Sequence, residues 1–296
     1  MRNFFVVVSL LLFLNTSFAQ TTFTAKDSLL IVPVDSTKVD KKWDVAVDIA
    51  SRYIWRGQSW GGNYPVLQPS FNYAITNKLR VGIWATTNFQ NDFLENDGTT
   101  PKSYHEFDVG LSYQLTNFLT LEVWDYYWPA LQRMENVDTN YFNYGPNGVK
   151  TIDASLAFDF SEGYKLAFTG TISTLVGGND YRYNADDSSF TRNYTTYIEM
   201  GYHFPDIFAL SSSKFLQKID AHPMIGAVIN NQAQYYTYAD YNKPSVINIA
   251  LSLTREFQTN QNTTIPVVLS YTHNAATANT EVYGKNFLLA GISFWY

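Results

Sequence analysis

The stretch EFDVGLSYQL, residues 106–115, alternates between apolar and polar or small side chains at every position. The residues of one parity, here the odd-numbered positions, are apolar: Phe107, Val109, Leu111, Tyr113 and Leu115. The residues of the other parity are polar or small: Glu106, Asp108, Gly110, Ser112 and Gln114. Successive side chains of a β-strand point to opposite faces of a sheet. This period of two therefore predicts a strand with one apolar face and one polar face.

The same period recurs from Trp43 to Tyr296 in twelve segments, most of them about 9 to 11 residues long, the length of a tilted membrane crossing. Short and long connections alternate strictly between these segments. The short ones include 76–78, 116–118 and 161–163, and the long polar ones include 57–64, 90–102, 129–148 and 174–189. This arrangement predicts an all-β protein, a transmembrane antiparallel up-and-down β-barrel of about 12 strands over residues 43–296.

A soluble sandwich or lipocalin-like barrel would show the same alternation with its apolar face turned inward. The crossing length and the aromatic residues near strand ends, such as Trp43, Tyr73 and Tyr113, favour the membrane. The chain also ends on Phe294-Trp295-Tyr296, which resembles the insertion signal of outer-membrane proteins. We therefore expect a bacterial outer-membrane location, contact with outer-membrane lipid, and recognition of the C-terminal strand by the barrel-assembly machinery.

Composition removes several other classes of protein. The chain has 296 residues, with 46% hydrophobic, 17% aromatic and 16% charged residues, a formal charge of −6 and no cysteine. Its mean hydropathy is only −0.19. Many aromatics argue against a disordered chain, the negative charge argues against nucleic acid as a partner, and a thiolate-held metal is impossible. Only one apolar run exists, at the N-terminus, so a bundle of membrane-spanning helices is excluded.

That N-terminal run has the form of a secretory signal peptide. Arg2 is followed by apolar residues 4–14, too few to span a bilayer, and by Ser17-Phe18-Ala19, a small-x-small cleavage site. We expect a signal peptide over residues 1–19 and a mobile periplasmic leader over residues 20–42.

The run Ser51-Arg52-Tyr53-Ile54-Trp55-Arg56-Gly57-Gln58-Ser59 resembles a family pattern, S-x-Y-x-(F/W)-R-G-x-S, at the end of an early strand. It is similar to that of the TorF-type porins, the conserved-hypothetical Gcw_chp outer-membrane proteins. The likeness continues at residues 65–68, 71–73, 81–84, 106–110 and 126–129, although Trp60-Gly61-Gly62 departs from the Gln usual after R-G-x-S. The resemblance implies an outer-membrane barrel with a channel role and brings no substrate.

If the apolar parity faces lipid, the opposite parity lines the pore. It collects nine carboxylates and four basic groups: Asp44, Asp48, Arg52, Arg56, Arg80, Glu106, Asp108, Glu122, Asp153, Asp159, Lys165, Glu199 and Asp220. These residues form either a salt-bridge network that fills a narrow interior or the wall of an aqueous pore that mildly prefers cations. Twelve strands lie between small filled barrels and wide porins, so we expect a narrow or partly plugged lumen.

Two groups of inward residues leave alternatives open. Arg52, Arg56 and Arg80 form either a basic ladder near the outer end of the first hairpin or separate pairs with Asp48, Glu106 or Asp108. Inward aromatics either fill the barrel or stack on sugars or nucleosides. They are Trp84, Trp124, Tyr126, Trp128 and Trp295.

The sequence favours a porin-like channel for passive diffusion of small solutes or ions, without a cofactor. A non-conducting barrel that acts through Tyr-rich loops, such as residues 141–144 and 235–238, is the main alternative. An outer-membrane hydrolase is the third hypothesis, but H-E-x-x-H does not occur at any of the four histidines. We therefore expect no enzyme and no metal site.

Overall fold

A computed structural model gives a closed barrel of twelve strands. It describes residues 42–90, 93–94, 101–129, 137–161, 166–183, 190–230, 233–236, 244–260, 263–276 and 284–295. The predicted signal peptide and all of the predicted leader except Lys42 lie outside these residues. Among the described residues, none of the helices has the length and apolar character needed to cross a membrane.

The barrel strands follow one another around the ring in chain order. They are β1 (Trp43–Ala50), β4 (Val66–Ala74), β5 (Leu79–Thr87), β8 (His105–Thr116), β9 (Leu119–Tyr127), β10 (Lys150–Asp159), β11 (Phe168–Gly178), β14 (Thr196–Tyr202), β15 (Ile219–Val228), β16 (Ser245–Asn260), β17 (Thr263–His273) and β18 (Asn286–Trp295). Three short hairpins lie between them: β2 (Tyr53–Trp55) with β3 (Gln58–Trp60), β6 (Phe93–Leu94) with β7 (Pro101–Lys102), and β12 (Tyr181–Tyr183) with β13 (Phe190–Arg192).

Every neighbouring pair in the ring is antiparallel, and closure comes from pairing the first strand with the last. Asp48 of β1 lies opposite Ser293 of β18, and on its other side opposite Gln68 of β4. Closure satisfies the strand edges, which an open sheet would leave unpaired. The predicted up-and-down barrel and its count of twelve strands are confirmed.

The two faces of the barrel wall are reversed relative to a soluble protein. On β8 the apolar side chains Phe107, Val109 and Leu111 face outward, and Leu111 is 49% exposed. On the same strand Glu106 and Asp108 face inward and are buried. Because polar groups point to the interior and apolar groups point to the outside, the soluble inside-out alternative is removed by the geometry.

The loops predicted at 57–64, 90–102 and 174–189 all contain strand residues in the structure. Residues 174–178, predicted as loop, extend β11 as far as Gly178. The segment from Gly57 to Tyr64, predicted as an external loop, contributes to the β2–β3 hairpin. That hairpin determines the character of the lumen.

Candidate functional site in the barrel lumen

The β2–β3 hairpin, residues 53–60, folds into the barrel. Tyr53 pairs with Trp60 and Trp55 with Gln58, which leaves Arg56 and Gly57 as a two-residue turn. Arg56 has φ 47° and Gly57 has φ 78°, as a type I′ turn requires at its two central positions. All eight hairpin residues are buried.

The tip of this hairpin reaches the far side of the barrel. Arg56 contacts β10 through Asp153 and β14 through Tyr197, and these strands flank β11, the sixth strand from β1 in either direction around the ring. A Cβ added at Gly57 would lie 1.9 Å from the carbonyl oxygen of Ile247 on β16. Asn274 Nδ2 also donates to the Gly57 carbonyl at 2.9 Å. The hairpin therefore spans the lumen and touches its opposite wall.

Arg56 and Asp153 form a buried ion pair at the end of this span. Nη2 of Arg56 donates to Oδ2 of Asp153 at 2.8 Å, and the two side chains are 3% and 0% exposed. Asp153 also accepts hydrogen bonds from the hydroxyls of Tyr126 and Ser155, at 3.0 and 3.1 Å, and from Ser173. A buried charge is costly unless it is paired and hydrogen-bonded, and both conditions are met here.

Aromatic rings occupy the space around the hairpin. The ring of Trp55 lies 5.7 Å from Tyr126, 6.1 Å from Trp128 and 5.5 Å from Tyr236, and the ring of Trp60 lies 5.6 Å from Trp128. Several of these pairs are edge-to-face, the arrangement that aromatic quadrupoles favour. The inward aromatics Tyr126 and Trp128 are thus packed against the hairpin, in agreement with filling rather than with an open stacking surface.

Four of the nine predicted lumen acids share a buried position on the barrel wall and a hydrogen-bond donor close by. Asp48, Glu106, Asp108 and Glu122 are all buried. Each has a hydrogen-bond donor nearby: Ser293 for Asp48, the Tyr104 hydroxyl at 2.8 Å for Glu106, the Tyr127 amide at 3.2 Å for Asp108, and Trp124 Nε1 at 3.4 Å for Glu122.

Toward the end with the short turns, several lumen residues are more accessible. Asp44 and Arg80 form an ion pair with side chains 33% and 24% exposed, and Asn72 donates to Asp44 at 2.7 Å. His203 lies 3.2 Å from Asp220, with exposures of 35% and 39%. Asp159 is buried near this end, where it accepts from the Ser161 amide at 2.9 Å. Asp44, Arg80, His203 and Asp220 are therefore partly accessible to solvent at this end, whereas the hairpin residues at the other end are buried.

Glu199 and the remaining basic residues complete the predicted set. Glu199, half-buried, accepts from Asn248 Nδ2 at 2.9 Å. Arg52 donates to Asn63 at 2.9 Å near the outer end. Lys165 lies outside the described residues.

A basic ladder is not what the structure contains. Arg52 lies near the outer end, Arg56 is at the far wall, and Arg80 is beside Asp44 near the short turns. The ladder hypothesis was wrong because it placed all three near the outer end of the first hairpin, whereas the β2–β3 hairpin carries Arg56 across the lumen and Arg80 lies near the short turns. Arg56 forms an ion pair with Asp153 and Arg80 with Asp44, two carboxylates that were not among the partners named from sequence.

Sequence reasoning missed the hairpin itself. The available signal was an Arg-Gly pair flanked by aromatic residues within Trp55 to Trp60, where glycine supplies the positive φ of a tight turn. Local sequence predicts such a turn, but whether it folds outward or inward depends on distant residues such as Asp153 and Ile247.

The Tyr-rich loops divide between the two sides of the barrel wall. Tyr236 packs against Trp55 inside the lumen. Tyr141, in contrast, lies over Lys150, whose Nζ is 3.5 Å from the ring centroid and 2.6 Å from Asp125 Oδ2. The Tyr144 hydroxyl donates to the same Asp125 oxygen at 2.9 Å, and burial together with this acceptor raises the pKa of Tyr144. This second cluster fastens the 137–149 loop to the rim.

No group of three or more His, Asp or Glu side chains suited to a metal ion occurs among the described residues. His203 and His222 are separately engaged, the first with Asp220 and the second 3.0 Å from the Thr169 hydroxyl.

No family model and no curated protein matches the chain. Solved structures do. An outer membrane channel from Pseudomonas putida matches with a TM-score of 0.40 and 10% identity, over 86% of this chain and 94% of that one. LpxR from Salmonella typhimurium matches with a TM-score of 0.36 and 11% identity, over 86% and 99%. OprD from Pseudomonas aeruginosa matches with a TM-score of 0.33 and 11% identity, over 86% and 67%. The present chain is a twelve-stranded antiparallel β-barrel, as its strand order and register show directly.

Proposed function

We propose that this chain is an outer-membrane channel for passive diffusion of small solutes or ions, with the β2–β3 hairpin as its constriction. The observation that carries the proposal is the inward face of a closed barrel lined by charged and polar groups that become accessible toward the short turns. Outward apolar residues fit contact with outer-membrane lipid. The resemblance of residues 43–129 to the TorF-type porins supports the same role.

The acidic surplus supports a mild preference for cations. Within the inward set, Arg56 forms an ion pair with Asp153 and Arg80 with Asp44. By sequence this set holds nine carboxylates and four basic groups. A lumen wall whose charges are mainly negative raises the local concentration of cations, so cations pass more readily than anions.

A non-conducting barrel is the second candidate, and the hairpin that spans the lumen favours it. Under that candidate the buried aromatic cluster and the Arg56–Asp153 pair serve to fill the interior. A hydrolase is the weakest candidate. Gly57-Gln58-Ser59-Trp60-Gly61 matches G-x-S-x-G, but its first four residues form part of a β-hairpin and not the strand-to-helix turn of a nucleophile elbow, and Ser59 Oγ donates to the Gly62 carbonyl at 3.2 Å.

Planar-bilayer recording distinguishes the first two candidates. Because Ala50 and Val66 are cross-strand partners, a short Gly/Ser linker can replace residues 52–62 and still join β1 to β4. We expect small discrete conductance steps from the native protein and larger steps from the linker variant.

Silent membranes with both proteins, when each shows the heat-modifiable migration of a folded barrel, would reject the channel. Large steps from the variant alone would favour the non-conducting candidate for the native state. Fractionation of the native protein into the outer membrane tests the location separately.

A further inference from the structure

Residues 205–218, here the β14–β15 segment, form the longest described connection at the end with the short turns. Their backbone is folded onto the barrel. The Ile207 amide donates to the Ile219 carbonyl at 2.9 Å, and the Phe204 amide just before the segment donates to the Ala221 carbonyl at 2.8 Å. A 3-10 helix, Leu216–Lys218, ends the segment. It is an ordered element with a defined surface.

That surface is unusually apolar. Leu210 is 101% exposed, and four further large apolar side chains are exposed with it: Ile207, Phe208, Phe215 and Leu216. The turn at residues 76–78 at the same end of the barrel is Thr-Asn-Lys. Exposed apolar side chains in an ordered element indicate an interaction surface rather than a solvated turn.

The segment continues the outward wall of the barrel. The ring of Phe215 lies 6.1 Å from that of Phe257, and the Arg255 guanidinium lies 4.6 Å from Phe215 and 5.0 Å from Phe257. Arg255 also donates to the Phe215 carbonyl. Arg255 and Phe257 share the parity of Leu251 and Ile249, which face outward on β16. The apolar surface of the segment is thus contiguous with the face that meets lipid.

Basic groups accompany the apolar ones. Lys214 is exposed, and Lys218 is 69% exposed at 3.6 Å from Asp206. Arg255 adds a third positive charge beside Phe215. At the same end Trp43 and Tyr73, which are cross-strand neighbours, face outward as an aromatic belt does at a membrane interface. Apolar side chains with cations beside them suit the acyl–headgroup boundary of a phospholipid layer.

We propose that the β14–β15 segment lies in the interface of the periplasmic leaflet, with Leu210 and Phe208 among the acyl chains and Lys214, Lys218 and Arg255 at phospholipid phosphates. This inference rests on the proposed outer-membrane location. It makes the connection a membrane-interface element of the barrel, whereas the turn at 76–78 faces the aqueous periplasm.

Single-cysteine labelling tests the inference directly, since the native chain has no cysteine. Leu210→Cys, Leu111→Cys and Asn77→Cys each carry one environment-sensitive fluorophore in phosphatidylethanolamine–phosphatidylglycerol nanodiscs. Nitroxide lipids with the spin label near the headgroup or deep in the acyl chain serve as quenchers. We expect loss of fluorescence at Leu210 mainly with the shallow quencher, loss at Leu111 with the deeper one, and none at Asn77. Phe208→Cys serves as a second site on the segment.

The outcomes separate the two proposals. Quenching at Leu111 with none at Leu210 or Phe208 would overturn the interfacial segment while leaving the membrane barrel intact, and would favour a periplasmic protein as the occupant. An absence of quenching at Leu111 would instead overturn the membrane location. Migration as a heat-modifiable band shows that each variant has folded.

Discussion

Arg56, at the tip of a hairpin that starts beside β1, donates to Asp153 on β10 at 2.8 Å, almost directly across a ring of twelve strands. The two residues are 97 positions apart in sequence. The pair joins the hairpin to the wall that it faces, and the guanidinium also stacks 4.7 Å from Tyr197 and 4.8 Å from Trp55. We expect loss of this contact to free part of the outer lumen.

Asp153→Asn should loosen the hairpin. Removing one partner of a buried ion pair costs about 3–5 kcal/mol, because the remaining charged group loses that counter-charge in a site shielded from water. Ser59→Cys, in a chain without other cysteine, reports hairpin exposure through its rate of maleimide labelling. We expect faster labelling in the Asp153→Asn background, and no change with Asp138→Asn, an exposed loop acid. Equal rates in all backgrounds would show that the pair does not hold the hairpin.

Gly57→Ala should displace the hairpin tip for a steric reason. A Cβ at this position would meet the Ile247 carbonyl oxygen at 1.9 Å. Gly62→Ala is the matched control, because Gly62 has a similar φ of 76° but its nearest contact to an added Cβ is 3.4 Å. Each substitution carries the cost of positive φ, about 1–2 kcal/mol.

Only Gly57→Ala adds the collision. We expect Gly57→Ala to raise the single-channel conductance and to lower the temperature at which the folded barrel converts to the unfolded gel band. Both effects should be smaller for Gly62→Ala. Identical behaviour of the two variants would count against close contact between the tip and β16.

Neutralising buried acids of the lumen wall should weaken cation preference. Asp48→Asn, Glu106→Gln and Asp108→Asn together remove three negative groups from the lumen wall. In a salt gradient the reversal potential should move toward zero, because the counter-ion concentration near the wall falls. Asp138→Asn, outside the lumen, should leave it unchanged. A reversal potential that is the same in the triple variant would remove the acidic wall as the source of selectivity.

Leu111→Arg should impair insertion. Leu111 faces outward on β8 and is 49% exposed, so its replacement places a charge against acyl chains at a cost of about 2–4 kcal/mol near the bilayer midplane. The yield of heat-modifiable protein after folding into vesicles measures this loss. Leu111→Met, which keeps an apolar side chain, should fold at the native yield, and an equal yield for the arginine variant would argue against lipid contact at this position.

Most of the fold could be predicted from the alternation of side chains. In β8, Leu111 and Glu106 fall on opposite parities, and the structure places them outside and inside as expected. Strand ends were harder to predict. The extension of β11 through Val176 to Gly178 lacks a clean apolar alternation, and its pairing with β10 depends on the register of the neighbouring strand.

The sequence predicts which residues face the lumen, but it does not predict where in the lumen each of them lies. Parity places Asp48, Asp108 and Asp153 on the inner face, because a one-residue shift would put every one of them against lipid. Parity does not indicate height along the barrel or position around it. It therefore could not distinguish Arg80, near the short turns beside Asp44, from Arg56.

The sequence by itself determined a β-barrel with a reversed apolar face, since a period of two is a property of neighbouring residues and of the backbone geometry they share. Only the tertiary structure decided that Tyr53–Trp60 turns inward and meets Asp153, Ile247 and Tyr236. Those partners lie far along the chain, and they come within reach of Arg56 and Gly57 only when the twelve strands have closed into a ring.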